Sequence, residues 1–146
     1  MFGKILYVSD NIAYIENKIP EDVGSDLLNL HLIFENDNQK LLSEITEVRE
    51  DQIRVKFLGE FVDGRYNNGV LRKASLNSKI RTITAPELAE LVGVQSKKNF
   101  VLGMSATYKG NYICPNINDL LASHMCVFGN SGSGKSCGVA RVVQNL

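Results

Sequence analysis

Eight residues near the end of the printed sequence have the types and spacing to bind a phosphate group. They read Gly-Asn-Ser-Gly-Ser-Gly-Lys-Ser over positions 129–136, which fits the G-x-x-x-x-G-K-[ST] spacing of a phosphate-binding loop, the Walker A loop. Gly132 and Gly134 can adopt a positive φ, so the backbone can curl around a triphosphate without a Cβ in the way. The backbone N–H groups of residues 131–135 would then form a cradle for the anion. The spacing predicts a nucleoside triphosphate as the ligand.

Two side chains of the loop are expected to act on the nucleotide. Lys135 is predicted to be the catalytic residue, because its ammonium is a mobile point charge that can reach the β- and γ-phosphates. Ser136 is predicted to offer its hydroxyl to Mg²⁺, which keeps most of its water ligands. The predicted nucleotide-binding set is Gly129, Asn130, Ser131, Gly132, Ser133, Gly134, Lys135, Ser136 and Cys137. A flexible Gly/Ser linker is the alternative interpretation, although a linker would not need a Lys-Ser pair at this position.

The residues on either side of the loop predict the elements that position it. Residues 125–128 are a short apolar run that ends at Gly129, which is typical of a buried parallel strand. Beyond the loop, valines at 139, 142 and 143 follow helical spacing. Strand, glycine-rich loop and helix in this order are the context expected for a phosphate-binding loop. Cys126 and Cys137 are predicted to be small buried core residues, the usual role of a free cysteine.

The first 84 residues predict an antiparallel β structure. Expected strands cover residues 2–8, 12–16, 30–34, 41–48, 52–58, 70–72 and 79–84. Ile53, Val55 and Phe57 alternate with polar residues, which is the pattern of a half-buried strand. The Asn68-Gly69 dipeptide favours a tight turn. Short strands at this spacing predict a small closed barrel, or a sandwich.

A connector follows the strands. Thr84 as N-cap, Glu87 three residues later and Pro86 in the first turn predict a short helix over residues 86–92, and Gly93 is expected to end it. Further predicted elements are a strand-like pair over 100–104 and 108–113 and one helical turn near 115–121. The predicted domains are an N-terminal β-barrel over residues 1–84 and, over 85–146, the connector and the incomplete start of an α/β ATPase domain.

The amino-acid composition excludes only a few classes of protein. The 146 residues contain 16 Lys+Arg and 16 Asp+Glu. The net charge is therefore zero and argues neither for nor against a nucleic acid partner. An odd number of cysteines without metal spacing argues against a disulfide framework and a metal site. The carboxylates of Glu16, Glu21, Asp22 and Asp26 are interpreted as a solvated face. With neither a signal-peptide layout nor an apolar run of about 18 residues, we expect a cytoplasmic protein with no membrane role.

Part of the chain resembles a known family, the HerA ATPases, which belong with FtsK among the hexameric DNA-translocating motors. The residues that carry the resemblance are 101–103, Ile113, 118–124 and 127–136. It implies an N-terminal six-stranded barrel, of the type found in rotary ATP synthase subunits, ahead of a RecA/FtsK-like P-loop domain. Asn130-Ser131 stands where the family commonly has a small or Thr-containing pair. This departure leaves the phosphate contacts unaffected, because the loop works through its backbone.

The resemblance also implies a function: an ATP-driven translocase or helicase that acts on double-stranded DNA as a homo-hexameric ring. Such motors work with a nuclease partner in DNA-end processing, and related ones sit in phage defence. Hydrolysis further requires an acidic strand end and an arginine from a neighbour, so we expect a longer native protein and an inactive fragment. Two alternatives remain open: another barrel-bearing P-loop ATPase, such as a rotary synthase subunit or a secretion motor, and a non-enzymatic barrel adaptor.

Overall fold

A computed structural model describes residues 2–19, 27–93, 96, 98–122 and 124–145. The chain divides into two compact units, Met1–Glu87 and Leu88–Leu146. Most of the expected carboxylate face, residues 21–26, lies outside the described residues. No helix among the described residues is long and apolar enough to cross a membrane.

The first unit is one antiparallel sheet of seven strands. They are β1 (Ile5–Ser9), β2 (Ile12–Glu16), β3 (His31–Asn36), β4 (Gln39–Val48), β5 (Gln52–Val62), β6 (Arg65–Asn68) and β7 (Lys79–Thr82). The strand order is β1-β2-β5-β4-β3-β7, and β6 pairs with β5. The predicted β character is confirmed, but the sheet is a curled half-barrel with β1 and β7 at its two ends. Within the described residues these end strands do not pair, so the closed barrel expected from the sequence is not seen.

The central strand β5 organises the sheet because it has three neighbours. Along one edge it pairs with β4, and its other edge is shared between β2 and β6. Ile53, Val55 and Phe57 are buried, as their alternation predicts. A Cβ at Gly59 would lie 2.2 Å from the Asn67 carbonyl oxygen, so only glycine lets β6 approach here. The core cluster consists of Ile5, Ala13, Ile15, Leu27, Leu32, Phe34, Leu41, Ile45, Ile53, Val55, Phe57 and Ala74.

At the dipeptide predicted to favour a tight turn, Asn68 ends β6 and Gly69 is a bend with φ of 89°. The β5–β6 hairpin turns at Asp63-Gly64, where φ is 49° and 78°. Positive φ at both central residues is the two-residue turn that matches the right-handed twist of the flanking strands. The strand expected at 70–72 does not form, because residues 65–68 already provide the returning strand.

A buried carboxylate lies in the first turn of α1 (Ala85–Val92), at the end of the first unit. Glu87 accepts hydrogen bonds from the Thr84 N–H and hydroxyl, both at 2.8 Å, which is the capping interaction predicted from the sequence. Arg81 donates to the same carboxylate at 2.9 and 2.7 Å, and the Lys40 ammonium lies 2.5 Å from it. Hydrogen bonding to Arg81, more than any other cause, holds the pKa of Glu87 well below its usual range.

The second unit contains short elements. Gly93, with φ of 76°, follows the end of α1. After it come β8 (Gly103–Met104), β9 (Tyr112–Ile113), α2 (Ile117–Leu121) and α3 (Lys135–Gln144). The predicted helix near 86–92, the strand-like pair, the single helical turn and the helix after the loop are confirmed.

The strand predicted immediately before the loop is absent. Residues 125–128 form no strand, and Phe128 is 89% exposed. A parallel strand needs neighbours on its hydrogen-bonding edges and cover on its faces. The strands in the described part of this unit, β8 and β9, are each two residues long. For the same reason the prediction that Cys126 and Cys137 are buried is wrong, since both are exposed. An α/β P-loop domain is therefore not shown by the structure.

Candidate nucleotide-binding site

The loop ahead of α3 has the backbone conformation that its glycines predict. Gly132 has φ of 79° and Gly134 has φ of 82°. In this left-handed region an L-residue with a Cβ is strained, by roughly 1–2 kcal/mol. The Ser133 N–H donates to the Asn130 carbonyl at 3.2 Å and closes the curl. The chain therefore reverses into the helix within the motif itself.

Gly129 has a steric role that the sequence pattern did not assign to it. A Cβ at this position would lie 2.5 Å from Ser133 Oγ and 3.4 Å from the Cγ of Lys135. The side chains of Ser133 and Lys135 thus lie close to the first residue of the loop, and a side chain there would require the Ser133 hydroxyl to move. A side chain at Gly129 therefore meets only movable side-chain atoms, whereas Gly132 and Gly134 are favoured as glycines by their positive φ angles.

The Lys135 side chain arches across the loop. Its Nζ donates a hydrogen bond of 2.7 Å to the carbonyl oxygen of Asn130. Lys135 is partly buried, whereas the other residues of the loop are exposed. The ammonium therefore lies beside the backbone that is expected to cradle an anion, and its present partner is a neutral carbonyl.

The start of α3 adds a second attraction for an anion. The N-cap residue Gly134 has no side-chain oxygen, and no side chain caps this end among the described residues. The first backbone N–H groups of a helix have no partner within it, and the helix dipole places positive potential there. Gly138 N–H makes an early helical bond, to the Gly134 carbonyl at 2.8 Å. The N–H groups of Lys135, Ser136 and Cys137 lie in the turn before it.

The residues present fit a magnesium–nucleotide complex better than an independent metal site. No group of three or more His, Cys, Asp or Glu able to hold a metal ion occurs in the part of the chain that the structure describes. Mg²⁺ bound with a nucleotide takes one or two protein ligands and completes its shell with phosphates and water. The exposed Ser136 hydroxyl in the first turn of α3 suits this role.

A long-range hydrogen bond, which sequence patterns did not predict, holds the C-terminal end of α3. Asn145, the C-cap residue, donates from Nδ2 to the Val101 carbonyl at 2.8 Å. This side-chain bond joins positions 44 residues apart, so no local pattern could predict it. It fixes the helix that carries Lys135 and Ser136 against the segment ahead of β8.

The residues predicted to bind the nucleotide lie close together in the structure because they are contiguous in the sequence, at positions 129–137. No protein-family model matches the chain, and no curated protein matches it either. The resemblance to the HerA ATPases stays an expectation that depends on the residues quoted for it.

Proposed function

We propose that residues 129–137 bind the triphosphate of Mg·ATP and form the nucleotide-binding portion of an ATP-driven motor. One observation carries the proposal: a loop of the correct spacing has positive φ at Gly132 and Gly134 and holds the Lys135 ammonium over its backbone. A flexible linker has no reason to combine these features. The curled loop also leads into an uncapped helix end, which adds positive potential to that of the loop N–H groups and the Lys135 ammonium.

In this proposal each group of the loop has a separate role. The backbone N–H groups of residues 131–135 donate to phosphate oxygens. The Lys135 ammonium exchanges the Asn130 carbonyl for an oxygen of the β- or γ-phosphate and stabilises the charge that develops in phosphoryl transfer. The Ser136 hydroxyl holds Mg²⁺, and the bound ATP supplies the free energy of hydrolysis.

The motor in question is a DNA translocase or helicase of the HerA type. The resemblance over residues 101–136 and the β half-barrel ahead of the loop support it. The proposal includes a RecA/FtsK-like ATPase domain, a homo-hexameric ring on double-stranded DNA, a nuclease or defence-effector partner and a cytoplasmic location. A rotary or secretion ATPase would use the same loop chemistry, so the discriminating measurement is whether duplex DNA raises ATP turnover by the native protein.

Nucleotide binding is tested by titrating the 146-residue chain with a fluorescent ATP analogue in the presence of Mg²⁺. Lys135→Ala is expected to weaken binding about tenfold or more, since hydrogen bonds to charged groups contribute about 1.5–3 kcal/mol. Lys109→Ala is the matched control, because this lysine is exposed in the same unit but outside the loop. Equal affinity of the wild type and Lys135→Ala would overturn the proposal in favour of the adaptor interpretation.

The position of the nucleotide is tested by thiol protection. Cys126 and Cys137 are both exposed, but only Cys137 lies in the first turn of α3. Mg·ATP is expected to slow alkylation of Cys137 and leave Cys126 nearly unchanged. Removal of Mg²⁺ with a chelator should reduce the protection, as should Ser136→Ala. Equal protection of the two thiols, or of neither, argues against a nucleotide in the loop.

A further inference from the structure

Two tyrosines stack on the solvent face of the sheet. The rings of Tyr7 and Tyr14 have centroids 4.4 Å apart and planes inclined by 18°. Tyr7 is 49% exposed, and Tyr14 is partly exposed. The neighbours of Tyr14 in β2, Ala13 and Ile15, are fully buried. The stacked rings therefore stand on the face opposite the core.

A bulge in β1 is the reason that Tyr7 faces outward. Ile5 pairs with Ile15 and Tyr7 with Tyr14, so Leu6 is an extra residue in β1. Regular alternation would place residues 5 and 7 on the same face, and Ile5 is buried in the core. The extra residue reverses the phase and re-aims Tyr7, which is a common function of bulges beside binding sites.

The stack is open on one side. β1 is an end strand of the sheet and β2 is its neighbour. Tyr7 therefore has the ring of Tyr14 on one face, and on the other it has the sheet edge, beyond which no strand follows among the described residues. A third flat ring can continue the stack there, because offset stacking of aromatic rings is favourable.

Cationic side chains lie next to the stack. Arg54 is the cross-strand partner of Tyr14, and Lys56 follows at the next outward position of β5. The Arg54 guanidinium donates to the neutral Thr46 hydroxyl at 2.9 Å, and its cross-strand partner in β4 is Glu47, which binds Arg49. A guanidinium with remaining donors is suited to phosphate oxygens.

Carboxylates are interspersed with these cations. Arg49 is bound to Glu47 at 2.6 Å, and Glu44 is the cross-strand partner of Lys56. The face is therefore not a strongly basic groove. A ligand here would be held mainly by ring stacking, with one or two charge contacts in addition.

We propose that the Tyr7–Tyr14 pair, with Arg54 beside it, is a stacking site for a base of single-stranded nucleic acid. Base faces are accessible only where the strand is unpaired, and aromatic side chains with a nearby cation are the usual way of holding such a strand. Arg54 lies in β5, on the side of the pair away from its open face, so its guanidinium would contact a phosphate of an adjoining nucleotide rather than the stacked base. This site is independent of the phosphate loop.

The test measures binding of a labelled oligothymidylate of about ten nucleotides, within the usual site sizes for single strands, to the full 146-residue chain. Tyr7→Ala is expected to weaken binding about fivefold to a hundredfold, the range for the loss of one stacked base. Tyr7→Phe keeps the ring and should bind within about twofold of the wild type. Arg54→Gln should weaken binding less than Tyr7→Ala. It should also reduce the slope of log affinity against log salt concentration by about the amount expected for one lost phosphate contact. Tyr112→Ala, at an exposed tyrosine of the other unit, should change nothing.

Three comparisons separate base stacking on the tyrosine pair from strand binding at the phosphate loop and from self-association of the chain. An abasic oligonucleotide of equal length should bind more weakly; equal binding would overturn the proposal, and this measurement needs no variant to fold. Lys135→Ala should bind oligothymidylate normally, whereas a loss would assign the strand to the phosphate loop. Absence of binding by the wild type would overturn the proposal. Sedimentation that changes on Tyr7→Ala, with no change in oligonucleotide binding, would assign the stacked pair to self-association.

Discussion

The two units of this protein achieve their geometry in different ways. In the described part of the first, fifteen apolar residues are buried, whereas in that of the second only Leu88, Phe100 and Cys114 are. Every described residue of α3 remains at least partly exposed. The conformation of the first unit therefore depends on contacts between distant residues. The phosphate loop depends instead on the φ angles of its glycines and on hydrogen bonds within a few residues.

The largest expected effect comes from a cavity in the core of the first unit, which tests whether that unit depends on buried packing. Phe34 is 1% exposed and packs edge-on against Phe57, with ring centroids 5.0 Å apart. Phe34→Ala is expected to lower the free energy of unfolding by about 3–5 kcal/mol. Val143→Ala, at a 62% exposed residue of α3, should change it by less than about 0.5 kcal/mol. Urea unfolding followed by circular dichroism measures both, and similar losses would contradict the contrast.

The buried carboxylate of Glu87 gives the next effect. Glu87→Gln removes the charge that pairs with Arg81 and Lys40 and should cost about 2 kcal/mol, below the usual loss for a buried pair because Arg81 is one-third exposed. Glu90→Gln, at an exposed position of the same helix, is the control. Comparable losses for the two variants would show that the ion pairs do not stabilise this corner.

The Glu87 contribution should depend on pH. Its pKa is lowered in the folded state, so the stabilisation is complete above its ordinary pKa of 4.5 and is lost as pH falls below that value. Unfolding measured from neutral to acid pH should show the wild type and Glu87→Gln converging. A constant difference across this range would mean that the carboxylate is not ionised more readily in the folded chain.

Two glycines in the second unit form a matched pair. Gly134 has φ of 82°, whereas Gly138 lies inside α3 with open space where a Cβ would point. Gly134→Ala should strain the loop by about 1–2 kcal/mol and weaken ATP-analogue binding roughly tenfold. Gly138→Ala should stabilise the helix by about 0.5–1 kcal/mol and leave binding unchanged. Equal binding by both variants would mean that the left-handed conformation is not needed for the nucleotide.

The smallest perturbation is thiol labelling of the native chain without nucleotide. Cys126 and Cys137 are exposed and Cys114 is buried, so two thiols should react rapidly and the third only through local opening. Mass spectrometry of labelled peptides identifies them. Rapid labelling of Cys114 would show that this unit opens more easily than its few buried contacts suggest.

Short sequence patterns correctly predicted the features that depend on neighbouring residues. The alternation in β5, the capping of α1 by Thr84 and Glu87, and the positive φ of Gly132 and Gly134 were all predicted and are confirmed. Each of these features depends on residues that are only a few positions apart in the sequence. The strand expected at 125–128 is not formed, because a strand also depends on partners that its own residues do not specify.

Placement of side chains across strands was beyond prediction. The Leu6 bulge that turns Tyr7 outward depends on the pairing of β1 with β2. The turn at Asp63-Gly64 was missed because another Gly dipeptide, Asn68-Gly69, follows a few residues later, and only the pairing of β6 with β5 selects between them.

The conformations of the loop glycines and the alternation that buries the core strands can be read from local residues, because they depend on each residue and its immediate neighbours. The open half-barrel, the meeting of Arg81 and Lys40 at Glu87, and the tyrosine stack on the solvent face follow from long-range packing. The physical reason is that each of these contacts joins residues from different strands or helices, whose register is set by packing over the whole sheet.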